Sequence, residues 1–353
     1  MAYLAGKIVL AVSAGAPNNG RGENTTTTPV KKARIRGQWY PYVSAQAFRR
    51  WLRETMVDMG MVASPTERVG KAQGKAQKAN TAADPIRYAD DDLFGYMKAA
   101  AKSADEATTL RDTPFMVGTF LSVEPARPTE DFGVMSRGIE EPVLHGHEFY
   151  TADLAAPFLL DIPRVGTFTL PTERGGRPNY LSPEAALQVA QAMSVGAEQV
   201  SFRGGSAVRL PLEARRDRVA MLLDGLAELT GGAKKALHYG DRTPALVAAL
   251  PMAGGVNPLT FAIDGAADGS GLTVSGRVLG EELKAWQDQW EAPVRLGWRP
   301  GFHERIRKEF EHDLAGLIDE GQIVIDHPRS MLRGLAEEIR TGRHDAWFDD
   351  PAR

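Results

Sequence analysis

Lys31, Lys32, Arg34, Arg36, Arg49, Arg50 and Arg53 fall between Val30 and Arg53 with no acidic residue among them. Like charges held this close repel unless an anion neutralises them, so the block reads as a phosphate-binding surface. Its most organised part is Ser44-x-Gln46-x-x-Arg49-Arg50. A serine there caps a helix. First-turn N–H groups, the positive end of the helix dipole and two guanidiniums then converge on one place. Upstream, Arg34 shares a strand face with Lys32, and Lys31 lies beside them. The loop Asn18-Asn19-Gly20-Arg21-Gly22 adds short polar groups and one more guanidinium. The alternative is a solvated basic face with no ligand.

Other chemistries find less support. There is no cysteine, which excludes disulfides, thiolate metal sites and a thiol nucleophile. His145 and His147 share a strand face, but no third ligand stands at a fitting distance, and Glu148 points the other way, so they read as structural polar residues. Asp90-Asp91-Asp92 reads as a charge cluster opening a helix, not as a metal site. Gly15–Gly22 is followed by no Gly-Lys-Ser/Thr, and no Gly-x-Ser-x-Gly occurs. No catalytic constellation, cofactor site or metal site is expected.

The elements that must position the basic groups are legible in outline. Residues 1–80 hold 13 Lys+Arg against 4 Asp+Glu, whereas the chain of 353 residues carries a net charge of -3. The remainder is therefore acidic. Apolar content of 43% fits a globular protein with a sizeable core. No apolar run reaches the roughly 20 residues that span a bilayer, and Met1–Leu10 is too short for a signal peptide, so a cytoplasmic protein without a membrane partner is expected.

Tyr3–Ser13 reads as a buried strand and Ala14–Thr28 as a loop. Val30–Val43 reads as a basic strand with a turn at Pro41. Ser44–Met56 reads as a helix with Phe48, Trp51, Leu52, Thr55 and Met56 inside and Gln46, Arg49, Arg50 and Arg53 outside. Residues 58–112 read as an insertion, disordered around Gly70–Ala83. Strands are expected at Phe115–Val123, Phe158–Leu170 and Ala245–Met252, and a helix at Leu212–Leu229 that stops at Gly231-Gly232. Glu124–Pro157 is too long for a simple hairpin loop. Residues 281–353 read as helical and acidic. Without its insertions the order is βαββαβ, the ferredoxin-like pattern that RNA-recognition modules share: an α+β fold.

The run Leu4–Arg53, with its Asn/Gly loop, basic strand and VSAQAFRRWLRE helix, resembles the backbone subunit of type I CRISPR surveillance complexes (Cascade), in the DevR-type branch of the RAMP superfamily. His147-Glu148-Phe149-Tyr150 with Phe158–Asp161 and Val165-Gly166-x-Phe168 is similar to that family's central strand pair. Leu229-x-Gly231-Gly232-Ala233-Lys234 with Asp241-x-x-Pro244 is similar to its second helix and closing strand.

The resemblance implies a palm in two halves (1–57 and 157–252) with a palm strand at 113–126, a finger-like insertion at 58–112, a thumb β-hairpin excursion at 127–156 and a helical C-terminal extension at 253–353. It implies guide-RNA contacts at Lys31, Ser44, Gln46, Arg49 and Arg50, with Lys32, Arg34 and Arg53 nearby, an apolar thumb tip of Phe132, Val134 and Met135, and Arg137 as a phosphate partner. The implied partners are CRISPR guide RNA, the target DNA strand paired to it, further copies of the chain, and other Cascade subunits (large subunit, cap subunit and guide-processing endonuclease). The implied role is non-catalytic. Gripping phosphates and 2′-hydroxyls leaves bases free to pair, which suits such a role. A type III-like backbone subunit that cleaves target RNA is the enzyme alternative, with Asp131 as its candidate. A guide-processing endonuclease needs an acid–base pair, and no histidine falls in the basic block.

Overall fold

The computed structural model describes residues 2–21, 27–69, 78–98, 109–136, 138, 141, 143–170 and 185–350. Tyr3–Gly15 (β1) is apolar towards both of its faces, as a central strand must be, and it lies in the middle of an eleven-stranded sheet. The elements that follow are β2 (Lys32–Ile35), β3 (Gln38–Val43), α1 (Ala45–Asp58), α2 (Ala89–Phe94), β4 (Phe115–Val117) and β5 (Phe120–Ser122). Then come β6 (Thr129–Met135), β7 (Val143–Asp161), α3 (Leu212–Ala227) and β8 (Leu246–Met252). The last are α4 (Gly276–Ala285), β9 (Val294–Trp298), α5 (Glu304–Asp313), β10 (Ile323–Asp326) and α6 (Pro328–Arg340).

The strand order is β10-β9-β8-β1-β7-β5-β3-β2, with β4, β6 and Thr27–Thr28 also paired to β7. Its central run, β8-β1-β7-β5, is antiparallel throughout and interleaves two split βαβ units, the ferredoxin-like arrangement. The expected α+β, RRM-like palm is present. Gly6 shows how tightly the centre is built: a Cβ there would stand 2.1 Å from the Phe158 ring and 2.5 Å from the Ala248 carbonyl oxygen.

Helices α1, α3 and α6 cover one face of this sheet. Their apolar sides (Phe48, Trp51, Leu52, Leu222, Leu226, Leu332 and Leu335) bury the β1 residues Leu4, Ile8 and Leu10. The inner face of α1 matches the expected set, and Ser44 caps it through a bond from the Ala47 N–H. The other face, which carries Ala5, Val9, Leu246 and Leu250, is covered by the C-terminal segment through Leu259, Ile263, Leu279, Leu283 and Phe310. That segment carries the expected helices and adds two strands, β9 and β10, which extend the sheet beyond β8.

Three local readings change. The turn in Val30–Val43 lies at Arg36-Gly37, both in the left-handed region, while Pro41 sits inside β3 opposite Lys32. That pair makes a two-residue hairpin loop of the kind that matches strand twist. No strand begins at Phe158, because β7 runs unbroken from Val143 to Asp161 and so joins the excursion to the palm. Pro157 is tolerated where the facing strand breaks between β4 and β5. Its carbonyl accepts from Gly118, and the missing N–H points towards the same gap. Beyond Asp161 the chain makes a short 3-10 turn and a separate strand, Thr167–Thr169.

The insertion holds two hairpins, Thr66–Val69 with Lys78–Thr81 and Tyr96–Lys98 with Thr109–Arg111. Of the stretch expected to be disordered, residues 70–77 lie outside the described residues. Lys78–Thr81 is a strand, and Ala83 is buried. Asp90, Asp91 and Asp92 open α2 as expected, and all three are buried with partners. Asp92 pairs with Arg111 and Arg218 and accepts the Gly166 N–H. Asp91 accepts from Ser64 Oγ and the Asp84 N–H, and its burial raises its pKa. Charge pairing thus joins apolar burial, through Met61, Leu93 and Phe94 in the main core, in fastening this insertion to the palm.

Candidate nucleic-acid interface

The basic residues gather where four pieces of chain meet: the loop after β1, the β2–β3 hairpin, the N-terminus of α1 and the base of the β6–β7 hairpin. A bulge between Val12 and Gly15, with Ala14 left-handed, ends the regular β1 pairing and releases the loop. The Lys31 N–H donates to the Asn18 carbonyl at 2.9 Å and the Gly20 N–H to the Pro29 carbonyl at 2.7 Å, which folds the loop against the following strand. Asn18 is buried and donates its amide to the Tyr42 carbonyl, so it shapes the loop. Asn19 keeps a buried, unpartnered Oδ1, and Arg21 is exposed. A second loop lies behind, where the Ala233 N–H donates to the Pro17 carbonyl. Gly231 is left-handed there, and a Cβ on it would meet the Trp51 side chain at 2.6 Å.

The seven basic residues of the block separate by what faces them. Among the described residues, Lys31, Arg34, Arg36 and Arg49 have no carboxylate partner. Arg49 is half-buried, and burial, followed by the charge of Arg53, lowers its pKa. A desolvated guanidinium with no counter-charge is a place where an arriving anion gains most. Arg50 pairs with Glu54 one turn along α1 at 2.8 Å, in an exposed contact that a phosphate displaces easily. Arg53 has a partner inside the chain. It turns to buried Asp90 at 3.2 Å and lies over the Phe94 ring, which ties α1 to α2. Lys32 pairs with Glu148, which also accepts the Val30 N–H. Gln46 stands exposed on the first turn of α1 beside the Ser44 cap.

The β6–β7 hairpin leaves the sheet with Phe132 opposite Gly146, Val134 opposite Leu144 and Met135 opposite Val143. Phe132, Val134 and Met135 are 63%, 57% and 63% exposed, so the apolar tip is presented to solvent and takes no part in the core. Val143 and Leu144 complete it. They escape a sequence reading because only the register reveals that Leu144 joins Phe132 and Val134 on one face and Val143 joins Met135 on the other. Arg137 lies outside the described residues.

At the base of the hairpin, Asp131 stands 3.5 Å from His147, whose ring packs at 4.8 Å from that of His238. His147 is buried, and burial, then the charges of Lys234 and His238, lower its pKa. His145 and His147 do share a face, with ring centroids 6.5 Å apart. No group of three or more His, Asp or Glu among the described residues is arranged to hold a metal ion. No helix among them is long and apolar enough to cross a membrane.

No family model and no curated protein matches the chain. Solved structures do. A chain of a "CRISPR RNA-guided surveillance complex" superposes with a TM-score of 0.53 at 14% identity, covering 95% of this chain and 98% of that one. A chain of a "CRISPR RNA-guided surveillance complex, pre-nicking" gives 0.54 at 12% identity, covering 96% and 100%. At such identities the likeness is one of fold, and it extends over the insertion, the hairpin and the C-terminal segment.

Proposed function

We propose that this chain is a non-catalytic subunit that coats guide RNA in a Cascade-type CRISPR surveillance complex, as a backbone subunit of the RAMP superfamily. The observation that carries the reading is Arg49, half-buried beside a helix N-terminus with no carboxylate among the described residues to neutralise it. The near end-to-end likeness to chains of RNA-guided complexes supports it. In this reading Arg21, Lys31, Arg34, Gln46, Arg49 and Arg50 hold sugar–phosphates, and Arg50 exchanges Glu54 for a phosphate on binding. The exposed tip of Phe132, Val134, Met135, Val143 and Leu144 gives an unstacked base or an adjoining copy an apolar surface. Further copies, the paired target strand and the other Cascade subunits are the remaining partners. The covered second face of the sheet fits this role, because it leaves binding to edges and loops and so to the RNA backbone.

The test is RNA affinity as a function of salt. Wild-type protein binds oligoribonucleotides of unrelated sequence equally, with a log–log slope of about -0.7 per phosphate neutralised. Changing Arg49 and Arg50 together to alanine weakens binding at least about tenfold and flattens the slope. An unchanged slope in that variant overturns the assignment of this face.

A further inference from the structure

Within this RNA-binding reading, on which the inference rests, we infer that the groove at Trp39 is a seat for one unstacked nucleobase, with Arg34 serving a phosphate beside it. The groove holds roughly 660 Å³ between the loop after β1, the β2–β3 hairpin and the base of the β6–β7 hairpin. Lys32, Arg34 and Trp39 lie on one face of the β2–β3 hairpin, because Arg34 pairs directly with Trp39 and Lys32 precedes Arg34 by two residues. The Lys32 ammonium and the Arg34 guanidinium stand 5.6 Å and 5.8 Å from the indole centroid. The ring is nonetheless 39% exposed, and its backbone is fixed by the Ala126 N–H donating to the Trp39 carbonyl. A part-exposed indole with an unpaired guanidinium beside it is an arrangement that stacks a base while gripping its backbone.

The opposite wall favours a base over a bare phosphate. The block 30–53 contains no acid, but the fold brings in Glu130 and Glu148 from the β6–β7 hairpin. Glu148 accepts the Val30 N–H and pairs with Lys32, while Glu130 accepts from Thr27 Oγ1 at 3.2 Å. Two carboxylates repel a phosphate that enters the groove, whereas the edge of a base offers them N–H donors. Anions are thus held at the rim by Arg21, Lys31 and Arg34, and the neutral aromatic part of the nucleotide enters.

Binding of the full chain to an oligouridylate is compared with binding to an abasic ribose–phosphate oligomer of the same length. Wild type favours the base-bearing oligomer by about tenfold, the effect of one stacking contact. Trp39→Leu abolishes that preference, and Trp39→Phe keeps it within about threefold. A 5-iodouridine-substituted oligomer, irradiated with unaltered protein, crosslinks to Trp39, a readout that stands even if Trp39→Leu fails to fold. Tight RNA binding with no base preference, or crosslinks that avoid Trp39, overturns the inference and leaves the RNA-binding reading intact. Absence of any RNA binding overturns both.

Discussion

Arginine does opposite work at the two ends of this molecule. Between residues 253 and 350, all nine arginines stand within ion-pair distance of a carboxylate. Several of these pairs are structural seams: Arg295 joins β9 to Glu338 of α6, and Arg329 and Arg333 of α6 share Glu228 at the end of α3. Of the seven cations between Val30 and Arg53, four have no such partner among the described residues. Both ends are rich in arginine, so arginine content alone does not distinguish them. What distinguishes them is whether the fold has already supplied the anion, and only the unsupplied end has electrostatic attraction left to offer a ligand.

The sharpest way to break this contrast is to remove the anion where pairing is deepest. Asp92→Ala leaves Arg111 and Arg218 buried without their shared carboxylate and should cost about 3–5 kcal/mol of stability in chemical denaturation. Loss of under about 1 kcal/mol would show that this network is solvated in solution. At the unpaired end the effect moves from stability to binding. Changing Arg49 and Arg50 to alanine should leave the melting temperature nearly unchanged while RNA affinity falls, whereas a protein that melts early would mean that Arg49 is structural. The matched control, Arg329 and Arg333 both to alanine, should lose about 1 kcal/mol or less and keep full RNA affinity.

The smallest effect is one of pH at the hairpin base. Burial favours neutral His147, so the unfolded chain takes up more protons as pH falls below the ordinary imidazole value of 6.5. The stabilising contribution is present above that value and is lost as pH drops through the lower folded value. Lys234, His238 and His145 face the ring and add repulsion once it is charged, against attraction from Asp131. Melting temperature should fall more steeply with acid in wild type than in His147→Gln. Parallel curves would show that the ring is freely solvated.

What was legible in the sequence was local. The cap at Ser44, the buried stripe from Phe48 to Met56 and the buried strand β1 follow from spacing alone, and each is found in the structure. Partners across the chain were not legible. Lys32 meets Glu148 and Arg53 meets Asp90 only because strands and loops distant in sequence are brought together, so an apparently uniform basic block divides into paired and unpaired groups. Pro41 misled, since it lies inside a strand where no bond from its nitrogen is required. β9 and β10 have five and four residues and were hidden in a helical pattern, because strands that short show little alternation of their own. Trp39, Glu130, Val143 and Leu144 carried no local signal, because hairpin register alone makes them neighbours.

The unbroken run of β7 has a mechanical consequence. At about 3.3 Å per residue its 19 residues form a beam on the order of 60 Å long, clamped over its second half between β1 and the β4–β5 edge and paired over its first half with β6 and Thr27–Thr28. Such a cantilever has no joint at which its apolar end could swivel alone. A load applied at the end is therefore borne first at the root of the clamp, where Tyr150 meets Gly15 and Ala152 meets Val12 beside the bulge in β1.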